Sequence, residues 1–551
     1  MVYSVVRWFA RRAIRWFYGD TATLNANAIP KSGATLIVAS HGADLPDILL
    51  TFLATKRRIR FVANVSAADS WFAQFILARL SVIPISRVRD ARALKARGED
   101  AAALNVRAFQ KVNAALLHGE CVAIFPEGVV NDFPHLAPMR TGAARMALDA
   151  IVSRELTNLT MVAVGYQFEQ SQQRRSGCLT VVGEPFRVHG WKPLHATTPI
   201  SEFTRVIKNQ LQLVTRNSAT QTDANRLSEI VAAVAAATNG TTNTTHTTTN
   251  GATTKAATNT TTGTATTASI CTTTDRSTNA TADQATNTSV NSSASKAIAI
   301  AKSSILADAH RIQLLVTKIR SPHGLFVATP RADLMLAEGA KQPAMTQQSS
   351  VPAEVRDAQA LLLDVERVAL QMTDIVSSFG ARPWSASDHA LALQSAGDTS
   401  IAIGKPNLLR IIALAPLALL GWLWHVLPFW ACRAQGKRFA PRPIEVAART
   451  IVPGLYLIAL WYVTIPVGLL FLGFSLWLVA PLFVAQPRLG DFALSWRDDI
   501  RSWKLTSRVQ RAPISERQAL LACADELRRG WRAFEEIVVG AYRFSHLVAV
   551  A

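Results

Sequence analysis

Apolar runs of strand length alternate with helical runs between Thr35 and about Glu184. The predicted strands are residues 35–40, 59–65, 81–86, 121–126, 159–168 and 178–186. The predicted helices are a segment that begins at Pro46, residues 71–80, residues 91–118 with Gly119 as the stop, and residues 141–156. Alternation of this kind predicts an α/β fold, a mostly parallel sheet flanked by helices, in which functional groups gather where the strands end.

Short polar motifs follow two of these strands. SHGADLPD (40–47) places His41 near Asp44 and Asp47 at a helix start, and FPEG (125–128) places Glu127 on a glycine turn. Transfer of an acyl group from a thioester to a hydroxyl needs a base for the hydroxyl proton and a partner that orients the base. A histidine can accept a proton near neutral pH, so His41 is the predicted base, and either aspartate can be its partner. No GxSxG motif accompanies them, which favours direct transfer without a covalent acyl-enzyme.

Two arginines and the glutamate are candidate substrate ligands. Arg87 follows the strand at 81–86, and Arg140 precedes the helix that opens at Thr141-Gly142. Both fall at a sheet edge where anions bind, and the backbone amides of the helix start add to the attraction. The alternative is that both belong to a solvated basic face. Glu127 is expected either to bind hydroxyl groups of a polyol substrate or to cap a turn.

The composition limits the class of partner. The chain has 58 Lys and Arg against 38 Asp and Glu, a formal net charge of +20. This excess favours nucleic acid, an acidic membrane surface or phosphorylated small molecules. No nucleic-acid-binding module accompanies the charge, so no nucleic-acid partner is predicted. The five cysteines lie far apart without a CxxC spacing, so neither a disulfide framework nor a metal site is predicted.

Two parts of the chain are predicted to meet lipid. Residues 1–20 interleave arginine with aromatic residues, a pattern typical of a helix in a membrane interface or of a helix that covers the core of the next domain. Residues 451–487 carry no charge over 37 positions. One helix of that length would extend about 55 Å, beyond the ~30 Å hydrocarbon core of a bilayer. Pro466 and Gly468 therefore predict a break and a hairpin of two short passes.

The basic loop 433–449 is predicted to face the cytosol. If the catalytic domain faces the same side, the uncharged segment 411–432 is re-entrant or interfacial rather than a simple span. The whole chain then divides into an amphipathic helix (1–20), an α/β catalytic domain (21–215), a Thr/Asn/Ser-rich low-complexity insertion and linker (237–350), a helical segment (351–405), membrane-embedded helices (406–490) and a cytosolic helical tail (491–551).

Over about residues 20–190, the motifs together resemble the membrane-bound glycerolipid acyltransferase family. The five residues between His41 and Asp47 match the spacing of fungal glycerol-3-phosphate acyltransferases and many bacterial relatives. The second family motif falls on Arg87 in VIPISR, the third on FPEG, Asp132 and PMRTG (138–142), and the fourth on Met161–Val164. The chain departs from the family at Ser40 (usually Asn), at Val129-Val130 (usually a small polar residue) and at Ala163 (usually proline).

The resemblance implies His41 as the base and Asp47, rather than Asp44, as its partner. It further implies that the acceptor's phosphate is held by Arg87, Arg140 and the helix start at Gly142, and that Glu127 with Gly128 shapes the acceptor pocket. Acyl-CoA would be the co-substrate, with no cofactor and no metal.

The implied acceptor is glycerol 3-phosphate or dihydroxyacetone phosphate, acylated at position 1 in phospholipid biosynthesis. A lysophosphatidate or other lysophospholipid acceptor is the close alternative, and a non-catalytic membrane lipid-binding scaffold is the alternative of another class. The implied location is the endoplasmic reticulum membrane with the active site facing the cytosol, or the plasma membrane in a bacterium.

Overall fold

The computed structural model describes residues 2–19, 21–64, 82–86, 95, 100–131, 133–152, 156–188, 199–242, 312, 316, 353–398, 408–439 and 446–548. The predicted helix at 71–80 and nearly all of the predicted insertion at 237–350 lie outside these ranges. Arg87 and Asp132 also lie outside them.

Eight strands of the described chain form one sheet in the order β1-β7-β6-β2-β5-β3-β4, with β8 beside β6. They are β1 (Thr21–Leu24), β2 (Thr35–Ala39), β3 (Ile59–Asn64), β4 (Ile83–Ile85), β5 (Cys121–Ile124), β6 (Thr160–Phe168), β7 (Cys178–Val182) and β8 (Phe186–Arg187). Adjacent pairs are parallel except β6 with β7 and β6 with β8. The predicted mostly parallel sheet is confirmed. β2, β5 and β7 are buried along their whole length, which explains why their sequences are continuous apolar runs.

Helices cover both faces of this sheet. α1 (Val2–Phe17) and α2 (Leu45–Ala54) pack on one face, and α3 (Ala101–Leu117), α4 (Gly142–Val152) and α5 (Pro199–Val214) pack on the other. α3 begins after Asp100, whose carboxylate accepts the amide hydrogens of Ala102 and Ala103. It ends at Leu117, and Gly119 follows two residues later with a φ of +69°. The stop predicted at Gly119 is therefore confirmed.

α1 packs one face against the core of the α/β domain. Ala10, Ala13, Ile14 and Phe17 are buried together with residues of the sheet and of α2. Trp8 remains half exposed on the other side of the helix. Of the two roles that the sequence allowed, the structure shows α1 covering the core, and the helix keeps an exposed basic face.

Beyond the sheet, α6 (Gln221–Thr242), α7 (Ala353–Ser378), α8 (Ala386–Ala396) and α12 (Ile514–Val548) share a second core with the C-terminal part of α11 (Leu476–Arg511). α6 continues to Thr242, past residue 237, where the sequence places the start of the low-complexity insertion. The alanines at 232–237 are buried in this core, and Arg528 Nε donates a hydrogen bond to the carbonyl of Ala237 (2.6 Å). These contacts extend the helix into a sequence that has few large apolar residues.

Among the described helices, two are long and apolar enough to cross a membrane: residues 408–434 of α9 (Leu408–Phe439) and α10 (Val446–Phe471), with mean hydropathies of 1.8 and 1.9. The break predicted at Pro466 and Gly468 is wrong, because α10 continues to Phe471. Pro466 has no amide hydrogen to donate to the carbonyl of Tyr462, and that carbonyl accepts a hydrogen bond from Gln486 Nε2 of α11 instead (3.4 Å).

The chain turns instead at Gly473, which follows α10. Its φ is +88°, and the amide of Phe474 donates to the carbonyl of Leu469 (3.1 Å), the bond of a Schellman cap. Glycine adopts this left-handed conformation without a steric cost. α11 then continues without interruption through residue 490, where the sequence predicted a boundary between membrane helices and tail.

Candidate active site

The parallel register of β2 and β5 places the two polar motifs side by side. Val38 pairs with Ile124, and His41 and Glu127 each follow three residues after this pair, at the carboxyl edge of the sheet. The His41 amide donates a hydrogen bond to Glu127 Oε1 (2.7 Å), and the Asn131 amide donates to the carbonyl of His41 (3.4 Å). The two loops are thus joined directly.

The imidazole of His41 is held on two sides. Its Nδ1 lies 3.2 Å from Asp47 Oδ2, and its ring stacks on Phe125 with centroids 4.4 Å apart and planes inclined by 26°. A carboxylate oxygen only accepts hydrogen bonds, so this contact places the hydrogen of the neutral ring on Nδ1. Nε2 then carries the free lone pair. The side chain is buried and its orientation is fixed, as a general base requires.

Asp47, and not Asp44, is the carboxylate beside His41. Asp47 Oδ2 also accepts the amide hydrogen of Ala43 (2.7 Å), while Oδ1 is buried without a hydrogen-bond partner among the described residues. Burial raises the pKa of the Asp47 carboxyl, and the hydrogen bond and charge of His41 act in the opposite direction. Asp44 lies just before α2 with φ at +61°, a left-handed value that favours glycine.

Glu127 is buried, and its carboxylate connects the loop after β2 to the loop after β5. Besides the His41 amide, it accepts hydrogen bonds from Asn131 Nδ2 (2.6 Å) and from the Ala137 amide (2.9 Å). The residue is 2% exposed, and this burial raises the pKa of its carboxyl against the effect of the hydrogen bonds. This geometry fits a residue that shapes the site by holding His41, and both of its oxygens already accept bonds from the protein.

Arg140 packs its side chain over the turn that carries Glu127. A Cβ atom at Gly128, where φ is +67°, would lie 3.3 Å from Arg140 Cγ, so both the conformation and the close approach favour glycine here. The Arg140 side chain is exposed, and none of the described residues forms an ion pair with its guanidinium. Gly142 begins α4, two residues further on. β4 ends at Ile85 on the same edge of the sheet as His41, but the predicted phosphate ligand Arg87 lies outside the described residues.

Three polar residues that the sequence analysis did not single out also support the site: Thr51, Tyr166 and Asn131. The Thr51 hydroxyl donates to the carbonyl of Asp47 (2.7 Å) and accepts from the Tyr166 hydroxyl. Thr51 follows Asp47 by one turn of α2, so this spacing was a usable signal, whereas Asn131 lies in the loop after Glu127, outside any helix or strand. Tyr166 comes from β6, and no local pattern links it to α2.

A polar cavity of about 220 Å³ borders both carboxylates; its lining includes Ser40, Asp47, Glu127, Tyr166 and Arg216. Arg216 Nη1 donates to the carbonyl of Phe168 and to the Ser228 hydroxyl, both at 3.0 Å. Burial lowers the pKa of its guanidinium. The volume and polarity suit a small polar molecule or water beside the partner of the base. Within the described ranges, no three His, Cys, Asp or Glu side chains form a group that could hold a metal ion.

The family model of the Acyltransferase family matches residues 22–167. This part of the chain is an acyltransferase domain. The matched stretch begins in β1 and ends in β6, so it contains His41, Asp47, Glu127 and Arg140.

The acyltransferase domain is similar to two enzymes of Saccharomyces cerevisiae. Glycerol-3-phosphate O-acyltransferase 2 is 33% identical over 118 residues, which are 21% of this chain and 16% of that protein. Glycerol-3-phosphate O-acyltransferase 1 is 30% identical over 80 residues, 14% of this chain and 10% of that protein. The chain therefore spans 16% or less of the length of these relatives.

Among solved structures, the 1-acyl-sn-glycerophosphate (LPA) acyltransferase PlsC of Thermotoga maritima aligns with 38% of this chain and 78% of its own, with a TM-score of 0.29 and 17% identity.

Proposed function

We propose that this glycerolipid acyltransferase transfers a fatty acyl group from acyl-CoA to the sn-1 hydroxyl of glycerol 3-phosphate or dihydroxyacetone phosphate. Glycerol 3-phosphate would then give lysophosphatidic acid. The observation that carries the proposal is the buried His41–Asp47 pair at the carboxyl edge of the sheet, with the His41 ring stacked on Phe125. The printed names of the two yeast relatives support the choice of acceptor.

In the proposed reaction, His41 Nε2 takes the proton of the acceptor hydroxyl as its oxygen attacks the thioester carbonyl. The carbon–sulfur bond then breaks, the acyl group remains on the acceptor oxygen, and the imidazolium returns the proton to the sulfur of coenzyme A. Asp47 keeps the hydrogen on Nδ1 and stabilises the positive charge that His41 carries between these steps. No side chain becomes acylated.

Recognition of the acceptor's phosphate falls to Arg140, the start of α4 and Arg87. Arg140 is exposed beside the FPEG turn, and no described carboxylate neutralises it, so its five N–H donors are available for a phosphate. The amides of the first turn of α4 carry the positive end of the helix dipole. Gly128 allows the Arg140 side chain to lie close to the Glu127 turn.

The chain is proposed to work at a membrane. α9 and α10 supply two apolar helices of sufficient length, and many of their large apolar side chains are exposed. Such a location would bring long acyl chains to the domain. The endoplasmic reticulum, with the active site on the cytosolic side, is the compartment we propose.

The acceptor is tested with membranes that contain the full-length protein and labelled acyl-CoA. Glycerol 3-phosphate, dihydroxyacetone phosphate and lysophosphatidate are supplied separately. Transfer to either of the first two supports the proposal, and transfer to lysophosphatidate alone overturns the choice of acceptor. His41→Ala is expected to lower kcat at least about 10³-fold, since it removes the base. His118→Ala, at an exposed histidine at the end of α3, is the matched control and should keep full activity.

The same pair of variants separates enzyme from scaffold. A lipid-binding scaffold would bind lipid equally well with and without His41 and would show no transfer in any acceptor assay. A His41→Ala protein that keeps its activity refutes the proposed mechanism.

A further inference from the structure

A second, larger cavity lies between α1 and the helices α9, α10 and α11. Its volume is about 540 Å³, within the range of about 300–1,000 Å³ that is typical of ligand pockets. The walls are mostly apolar, from residues such as Phe429, Ile451 and Ile458. The lining includes none of His41, Asp47 and Glu127, so this cavity is separate from the acyltransferase site.

Three arginines in the lining form a cluster around Arg174, because the charges of Arg497 and Arg433 both act on its guanidinium. Within the part of the chain that the structure describes, none of them has a carboxylate partner. Arg12, elsewhere in the lining, is already paired with Asp491 at 2.8 Å. The unpaired cluster therefore has a net charge that an anion would neutralise.

The guanidinium of Arg174 is the strongest sign of a missing partner. It lies over the rings of Phe429 (4.2 Å) and Trp16 (4.7 Å). Its Nε and Nη2, together with Trp16 Nε1, are buried and lack a hydrogen-bond acceptor among the described residues. Burial, and then the charge of Arg497, lowers the pKa of Arg174 to about 10. Buried donors without an acceptor are destabilising, and an oxyanion at this point would supply the acceptor.

The cavity also borders the exposed apolar surface of α9. Leu419, Trp422 and Trp430 line it, and each of them is more than half exposed on α9. α9 is one of the two helices suited to cross a membrane. An occupant can therefore enter from the lipid side with its hydrocarbon part in the apolar walls and its polar part at the arginines.

We propose that this cavity binds an anionic membrane phospholipid, with the acyl chain along the apolar walls and the phosphate on Arg174, Arg433 and Arg497. The chemistry selects a phosphate that bears no compensating ammonium group, because three guanidinium groups without a carboxylate partner line the cavity near Arg174. The site does not depend on the proposed acyl transfer, since none of the acyltransferase residues takes part in it.

The test uses the full-length protein purified in non-ionic detergent, with bound lipid counted by native mass spectrometry. Dioleoyl phosphatidate is expected to bind at least about tenfold more tightly than dioleoyl phosphatidylcholine, a difference of about 1.4 kcal/mol. Arg174→Gln and Arg433→Gln should each weaken phosphatidate binding about tenfold or more. Arg410→Gln, an exposed arginine near the other end of α9, is the matched control and should leave it unchanged. Arg433 is exposed, so its variant is expected to fold even if the Arg174 variant does not.

Three results would overturn this inference. Equal affinity for the two lipids would remove the role of the charge. Competition by inorganic phosphate at the same concentration as phosphatidate would assign the arginines to a free anion. A loss with Arg140→Gln as large as that with Arg433→Gln would place the lipid in the acyltransferase site. Because lipid binding is measured directly, each of these results can be obtained even if the proposed acyl transfer is wrong.

Discussion

Replacing Asp47 by asparagine separates the charge of this side chain from its hydrogen bonds. The amide oxygen can take the place of Oδ2 and accept from His41 Nδ1 and the Ala43 amide, as the carboxylate does at 3.2 and 2.7 Å. The amide NH₂ then occupies the position of Oδ1, which accepts no bond from the described residues. The substitution preserves the volume of the side chain and its hydrogen bonds, and it removes a buried carboxylate whose pKa is raised by burial. The free energy of unfolding at neutral pH should stay within about 1 kcal/mol or increase.

The effect on catalysis should be much larger. When His41 has taken the proton, the charge on Asp47 is opposite an imidazolium. For unit charges about 4 Å apart, with an effective dielectric constant of about 20, the attraction is about 4 kcal/mol. At about 1.4 kcal/mol per factor of ten, the upper bound of the loss in kcat is about 10³-fold. KM should change little, because this attraction strengthens only in the transition state.

The assay measures kcat and KM for transfer from labelled acyl-CoA to the preferred acceptor, with thermal unfolding recorded on the same preparations. Asp44→Asn is the matched control, because it makes the same change three residues away and the carboxylate 3.2 Å from His41 Nδ1 belongs to Asp47. An Asp47→Asn protein that keeps kcat within about tenfold would refute the assigned role. So would a loss of folding without a change in kcat of the folded fraction.

Three further predictions concern the same loops. Glu127→Gln replaces one acceptor oxygen of a carboxylate that accepts three hydrogen bonds, so it should lower the free energy of unfolding by about 1–3 kcal/mol and also lower kcat. Glu120→Gln on the surface is the control and should change the free energy of unfolding by less than about 1 kcal/mol. Denaturant unfolding measures both changes in stability. Asp44→Gly should relieve the left-handed strain, raise stability by about 1 kcal/mol and keep activity, because Asp47 is the partner of His41. Burial raises the pKa of Asp47 and of Glu127, so the folded domain binds these protons more tightly than the unfolded chain does. The free energy of unfolding is therefore highest below the ordinary carboxyl pKa and decreases as the pH rises through the raised pKa values of the folded domain. Over the same pH range, the melting temperature of Asp47→Asn should decrease less than that of the unchanged protein.

The sheet and its flanking helices follow from local patterns in the sequence. Strands such as 35–39 and 121–124 are buried on both faces, so their residues form unbroken apolar runs that can be recognised without tertiary information. The stop at Gly119 was predictable because a positive φ after a helix selects glycine. The sheet edge on which His41 and Glu127 meet follows from parallel topology.

Other features depend on contacts between distant residues. The residues alone did not decide between Asp44 and Asp47, because the choice rests on the fold of the loop around His41. The three hydrogen bonds to Glu127 come from residues 41, 131 and 137, and no local pattern predicts that they converge. α10 continues through Pro466 because its end is set by Gly473, and α6 extends past residue 237 because α12 supplies Arg528.

α11 joins the apolar helices to the catalytic domain as one continuous rod of 36 residues, about 54 Å long. Three charged residues along it, Asp491, Asp498 and Arg501, pair with Arg12 of α1, with Arg175 before β7 and with Asp388 of α8. Their spacings of seven and three residues place them on one face of the helix. The pairs with Arg12 and Arg175 thus hold α1 and the catalytic domain to α11 at two points, and the pair with Asp388 holds α8 to the same helix. If the apolar end of α11 lies in a bilayer, the helix sets the distance between His41 and the lipid surface. A thicker or thinner membrane would then move the active site as a whole.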